Sequence, residues 1–166
     1  MRAPVMTAGE LERLLAAEFP EAFNPKSGLA ILEVWRGGAR VRQDLRKDAL
    51  RPGGTISGPI LMALADVAIY VAILGAIGWV PLAVTTNLNI NFMKRPAPGP
   101  LIAEARVLKL GKRLAVGEIS IRAEGDEDLV AHATATYSIP PHPSPRGARS
   151  GAELSKERGT TPLPVV

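Results

Sequence analysis

Residues 58–78 read Gly58-Pro59-Ile60-Leu61-Met62-Ala63-Leu64-Ala65-Asp66-Val67-Ala68-Ile69-Tyr70-Val71-Ala72-Ile73-Leu74-Gly75-Ala76-Ile77-Gly78 and carry one charge, Asp66. Pro59 stands where a helix accepts proline, at its first position, and glycine follows the last periodic residue. The segment is apolar on every side, which places such a helix inside a protein or inside a bilayer. Its length allows a membrane span. Against that, a mid-span carboxylate costs about 2.5–3.5 kcal/mol on insertion scales. Ala63, Ala65, Ala68, Ala72 and Ala76 also give the helix a thin profile suited to close packing on protein. The expectation is a buried core helix, with no membrane partner.

The flanks supply what would cover it. Upstream, Thr7-Ala8-Gly9-Glu10 has the form of a capping box, and Leu11, Leu14, Leu15 and Phe19 follow at helical spacing, predicting a helix over 7–19. Runs 28–36 and 39–46 meet at Gly37-Gly38, a hairpin signal. Downstream, Val84-Thr85-Thr86-Asn87-Leu88-Asn89-Ile90-Asn91-Phe92 alternates with period two, the pattern of a strand with one face on the core. Thr85 is read there as sharing the polar face with Asn87, Asn89 and Asn91. Three further strand-like runs follow, 101–110, 113–123 and 129–139, with turns at Gly111-Lys112 and Gly125-Asp126. The order is a short helix, a hairpin, a long helix and four strands: an α+β chain with its folded part over 1–139. From Pro140 onward prolines, serines and scattered charges predict a disordered tail.

Composition narrows the chemistry. The 166 residues are 46% hydrophobic and 4% aromatic, enough for a substantial aliphatic core. With no cysteine, disulfides, thiolate metal sites and cysteine nucleophiles are excluded. The two histidines, His132 and His142, make a multi-histidine metal site a poor expectation, and no cofactor is expected. The net charge of +4 is shared between the body and the tail: residues 140–166 carry four cations against two acids, and the body 16 against 14. A nucleic-acid footprint needs basic residues gathered on one face and a recognisable motif; neither is present. The charged residues Glu10, Glu12 and Arg13 come too early for a secretory signal, so the expected compartment is the cytoplasm.

Gly53-Gly54-Thr55-Ile56-Ser57-Gly58-Pro59, the apolar helix bearing Asp66, the strand 84–92 followed by Lys94-Arg95-Pro96, and the turn Gly111-Lys112-Arg113-Leu114-Ala115 together resemble the hot-dog-fold acyl-CoA thioesterases of the phenylacetate-pathway (PaaI-like) branch. The resemblance spans residues 28–139. It implies a curved antiparallel sheet wrapped around the central helix, and protomers paired at least as homodimers, with tetramers common. It also implies an acyl-CoA substrate bound between protomers, with coenzyme A as part of the substrate. Asp66 is implied as general base or nucleophile; the two routes stay open. Read from the residues alone, Asp66 is either a satisfied structural carboxylate or a buried acid whose desolvation raises its pKa toward the range of a base.

The same resemblance implies Gly58 as an oxyanion donor. That role suits the first N–H of a helix, which lacks an internal partner and carries the positive dipole end. It implies for Thr85 a hydroxyl that positions water from the partner subunit, and it matches Asn89 to an asparagine of the family. Ser57 stands where the family commonly has histidine, and Arg51 where it has asparagine or histidine; both are read as substrate-binding. Arg51 is permanently charged and cannot serve as a base. Lys94, Arg95, Lys109, Lys112 and Arg113 are read as a basic group at strand ends, suited to coenzyme A phosphates. A hot-dog dehydratase is disfavoured because no histidine precedes the central helix. A non-catalytic acyl-CoA-binding protein stays the alternative, and no Gly-x-Ser-x-Gly elbow supports a serine hydrolase.

Overall fold

The computed structural model describes residues 2–46, 48 and 50–141. Helix α1 (Ala8–Glu18) starts at the expected capping box: the Glu10 N–H donates to Thr7 Oγ1 at 3.4 Å, and the Thr7 N–H donates to Glu10 Oε2 at 2.8 Å. Strands β1 (Leu29–Trp35) and β2 (Gly38–Gln43) form the hairpin, and α2 (Gly58–Ile77) is the long helix. Strands β3 (Val84–Phe92), β4 (Leu101–Leu110), β5 (Leu114–Ala123) and β6 (Leu129–Ser138) complete the fold. The expected proline-rich tail lies, from His142 on, outside the described residues.

All six strands join one antiparallel sheet in the order β1-β2-β4-β5-β6-β3. Helix α2 lies across it and touches every strand, which is the hot-dog arrangement. Ala65, Ala68, Ile69, Val71, Ala72 and Leu74 are fully buried against Val41, Ala103, Ala105, Ile119 and Ala131. Each Leu or Ile side chain so removed from water contributes about 1.5–3 kcal/mol. The alanines do what their size predicts and let the helix backbone approach the strands. On the other face, cross-strand ion pairs meet solvent: Arg40 with Glu33 (3.3 Å) and Glu104 (3.0 Å), and Arg106 with Glu118 (2.6 Å).

Helix α1 closes one side of α2 through Leu11 and Leu15, both essentially unexposed. It is tied to β1 by the Ile31 N–H, which donates to Glu12 Oε1 at 2.8 Å.

Two expectations need correction. Helix α2 is not covered all round. Eleven of its 20 residues are buried, but Pro59, Met62 and Ala63 are exposed or nearly so, and Ile60, Asp66, Val67 and Tyr70 only half-buried. These residues recur at helical spacing, so one apolar stripe of α2, with Asp66 in its middle, faces outward between the sheet and α1. The second concerns β3, whose alternation predicts one face on the core. It is the outer strand beyond β6; Leu88 and Ile90 are half-buried against the core, while Val84 and Phe92 stand 55% and 53% exposed. As the edge strand, β3 has no neighbour on its far side to cover Val84 and Phe92.

The seat of α2 on the sheet depends on Gly117. A Cβ there would stand 2.2 Å from Ile69 Cδ1 and 2.9 Å from the Arg106 carbonyl oxygen, and the backbone atom cannot yield. Gly117→Ala is expected to destabilise the fold by about 1–3 kcal/mol, the usual cost of overpacking. This would appear as a lower urea midpoint at an unchanged denaturant slope.

Candidate active site

Asp66 and Thr85 meet within one chain. Thr85 Oγ1 donates to Asp66 Oδ1 at 2.6 Å. The contact arises from a β-bulge. Along β3, Leu88 lies opposite Ala135 and Ile90 opposite Ala133 on the helix side, so Asn87, Asn89 and Asn91 point to the other face. The register then shifts between Thr85 and Asn87, and Thr85 lies opposite Tyr137, a residue only 3% exposed. One extra residue in a strand reverses the sides of all that precede it. Thr85 therefore does not share a face with the asparagines, as the alternation predicts, but turns inward to α2. Where the resemblance implies a hydroxyl offered from the partner subunit, Thr85 is here grouped with Asp66 of its own chain.

Sequence reasoning missed the third member of this group. Tyr137 O–H lies 2.7 Å from Asp66 Oδ1 and 3.1 Å from the Asp66 carbonyl oxygen. Its ring stacks on Tyr70 with centroids 6.1 Å apart and planes 23° apart, and Tyr70 O–H donates to the Pro81 carbonyl at 3.0 Å. Burial, with the Asp66 carboxylate beside it, pushes the Tyr137 phenol well above its ordinary value, so it stays protonated and acts as a donor. A tyrosine near the end of a strand gives no hint of this in one dimension. The only signal is the inward parity of Tyr137 along β6.

Asp66, Thr85 and Tyr137 stand at the wall of a cleft of about 470 Å³, lined otherwise by Glu18 and by largely apolar side chains such as Phe19, Val67, Tyr70 and Trp79. A second cleft, about 260 Å³, shares Phe19, Val67 and Asp66 with the first. Asp66 is thus half-exposed at the junction of two clefts, and not the deeply buried carboxylate that its apolar helix implies. The open stripe of α2 is the reason. His132 lies on the outer face beside Glu118, 3.5 Å away, and takes no part. Among the described residues no three His, Asp or Glu side chains gather as a metal site.

Gly58 is elsewhere. Eight residues along a helix at 1.5 Å rise separate it from Asp66 by about 12 Å. Gly58 lines a separate cleft of about 370 Å³ with Arg51, Phe92, Lys94 and Arg95. The loop before α2 builds that cleft. Gly53 and Gly54 take φ of 92° and 75°, which only glycine adopts without strain, and the Arg51 N–H donates to the Thr55 carbonyl at 2.8 Å. Thr55 Oγ1 in turn donates to the Pro96 carbonyl at 3.4 Å, joining the loop to the chain beyond β3. Ser57 is the N-cap residue but its side chain caps no helical N–H, and Pro59 has none to offer. The first donor of the helix is therefore Gly58 N–H. A Cβ on Gly58 would come 3.3 Å from the Phe92 ring, so the close approach also favours glycine.

The basic residues do not form one group in the chain. Leu114 and Val84 both lie opposite Ser138, whereas Phe92 lies opposite Ala131. Lys112 and Arg113 thus sit at one end of the sheet and Lys94 and Arg95 at the other, about 26 Å apart at 3.3 Å per strand residue. Lys109 belongs with the former pair, two residues before their turn. Lys94 is also engaged: its ammonium bonds Asp126 and Asp128, each at 2.8 Å, and these contacts raise its pKa. Arg51 and Arg95 form no ion pair among the described residues. Asn89, read as substrate-binding, lies opposite Thr134 on the outer face, away from α2 and its clefts.

Against this geometry, residues 53–130 match the family model described as the thioesterase superfamily. The chain is 32% identical over 136 residues to a Saccharolobus solfataricus protein named "Putative esterase", a match covering 82% of this chain and 87% of that one. Among solved structures, a "putative thioesterase" from a Silicibacter species shares 42% identity at a TM-score of 0.75, covering 83% of this chain and 94% of the other. A single-site mutant of the phenylacetic acid degradation protein PaaI from Thermus thermophilus shares 30% identity at a TM-score of 0.63, covering 73% and 99%. Fold, family model and relatives agree: the chain belongs to the thioesterase superfamily and is a hydrolase of the esterase–thioesterase kind.

Proposed function

We propose that the chain hydrolyses acyl-CoA thioesters to the free acid and coenzyme A, as a homodimer whose sites are shared between protomers. The observation that carries this reading is the placement of the two half-sites. Asp66 and Thr85 lie level with the start of β3, and Gly58 with its end, beside Phe92. Strand β3 is an unpaired edge with exposed Val84 and Phe92. Exposed edges of this kind are templates for pairing with another strand. If β3 pairs antiparallel with β3 of a second copy, the Asp66 half-site of one protomer is brought toward the Gly58 half-site of the other. The same pairing carries the Lys112–Arg113 end of one sheet toward the Arg95 end of its neighbour.

In such a site the thioester carbonyl oxygen takes the Gly58 N–H at the positive end of α2, where charge develops as the carbonyl carbon becomes tetrahedral. Asp66 either removes a proton from the attacking water or attacks the carbonyl carbon itself. In the first route the water oxygen bonds to carbon and the C–S bond breaks. The coenzyme A thiolate then leaves and takes up a proton. In the second an acyl-aspartyl anhydride forms with loss of the thiolate, and water cleaves it. The apolar cleft beside Asp66 receives the acyl group. Arg51 and Arg95 offer fixed cations to the phosphates of coenzyme A. Lys94, already matched by two aspartates, offers little. No metal or separate cofactor is invoked.

Asp66→Asn keeps the acceptor for Thr85 and Tyr137 and removes the basic oxygen. Turnover of CoA esters, followed by thiol release, should fall at least ~10²-fold, in the range of a lost general base. The thermal midpoint should stay close to that of the unaltered chain. A purely structural Asp66 would instead lose stability while the folded fraction kept its activity.

The arginines and Lys94 should separate in KM. Arg51→Ala and Arg95→Ala are each expected to raise KM several-fold, an effect that shrinks with added salt as screening grows. Lys94→Met should change KM less than either.

Subunit exchange tests the sharing. Mixing Asp66→Asn with the Arg51→Ala/Arg95→Ala double variant should restore one intact site per mixed dimer and recover activity. Mixing Asp66→Asn with Thr85→Ala should not, because those two residues stand in the same half-site. Recovery in the second mixture, or demonstrated exchange without recovery in the first, would rule out this division of the site.

A further inference from the structure

The two oxygens of Asp66 are treated unequally by the fold. Oδ1 accepts from Thr85 Oγ1 at 2.6 Å and from Tyr137 O–H at 2.7 Å, and no donor among the described residues reaches Oδ2. A carboxylate oxygen has two lone pairs in its plane, and two hydroxyl donors occupy both. We infer that Tyr137 is a positioning residue that, with Thr85, holds Asp66 Oδ1 so that Oδ2 alone faces the cleft as the reacting oxygen. The inference rests on the reading of Asp66 as the catalytic carboxylate and adds to it which oxygen works and what aims it.

The clamp is built to be rigid. Tyr137 and Thr85 are direct cross-strand neighbours, so the register of β3 on β6 sets the spacing of their hydroxyls. Tyr137 is 3% exposed and stacked on Tyr70, so the phenol cannot swing away. Short O–H···O⁻ bonds of this kind are the strong class of hydrogen bond. Because the phenol is pushed above its ordinary range it remains a donor across the working pH of an enzyme. An aspartate side chain on the open stripe of a helix would otherwise rotate freely about its terminal torsion, which has no sharp staggered wells. Anchoring Oδ1 removes that freedom and leaves the lone pairs of Oδ2 for water or for the thioester carbon.

Tyr137→Phe deletes the donor and keeps the ring, its stacking and its volume. The expected result is a fall in kcat of about 10–100-fold, the scale of a small misplacement of a reacting group. KM for the same CoA ester should change by less than about twofold, because the clamp touches no substrate atom. Thr85→Ser, which retains a hydroxyl, should keep most of the activity. In the Asp66→Asn background, Tyr137→Phe should lower kcat no further, since a residue acting through Asp66 has nothing left to position.

An unchanged kcat in Tyr137→Phe, or an equal further loss in the Asp66→Asn background, would overturn the inference and leave the role of Asp66 standing. Wild-type turnover in Asp66→Asn would remove that role and this inference with it. A crystal structure of Tyr137→Phe gives a readout apart from activity: the Asp66 carboxylate should rotate or spread over two orientations. A carboxylate still fixed in place would count against the clamp.

Discussion

Helix α2 can lie on the sheet only because small residues line the contact on both sides. Ala65, Ala68 and Ala72 on the helix meet strands whose inward positions include Ala103, Ala105, Ala131 and Ala133, and Gly117 admits the end of Ile69. Gly75 allows the same closeness at the other end, where a Cβ would stand 2.4 Å from Val34 Cγ1. Interiors pack at crystal-like density, so the distance from helix to sheet is set by these side chains. All else at the site is measured from that distance. If α2 rode higher on the sheet, the hydroxyls of Thr85 and Tyr137 would fall short of Asp66.

The same close packing explains why Asp66 is half-open. A sheet wraps one side of a helix, and α1 reaches only part of the other. The stripe from Pro59 to Tyr70 is left to face the clefts, and the one charge on α2 lies on that stripe. A carboxylate on the covered side would have lost its hydration without a partner, at a cost of several kcal/mol. Here solvent and two hydroxyl donors share the work of stabilising it.

The bulge in β3 is the other device. Strict alternation would have put Thr85 with the asparagines, on the outer face. One inserted residue turns it inward at the place where β3 passes Asp66, while the rest of the strand keeps its register with β6. Bulges re-aim single side chains in this way without displacing the strand around them. A small irregularity thereby brings together two groups 19 residues apart in the chain.

Local pattern alone is enough for the elements and for their order. The period-two run 84–92 and the apolar run 58–78 appear as β3 and α2, and the glycine and capping signals bound their neighbours to within three residues. Hydrophobic periodicity and turn chemistry act over a few residues, which is why a single chain displays them. The charge on α2 and the glycine loop before it also mark Asp66 and Gly58 as the residues to watch. The side on which Thr85 points, the partnership of Tyr137, the pairing of Lys94 with Asp126 and Asp128, and the separation of Gly58 from Asp66 all required the tertiary structure. Each depends on strand register or on which helix face is left uncovered, and those are set by contacts between residues far apart in the chain. A shift of one residue in register reverses every side chain it carries, and no local pattern in β3 announces where that shift falls.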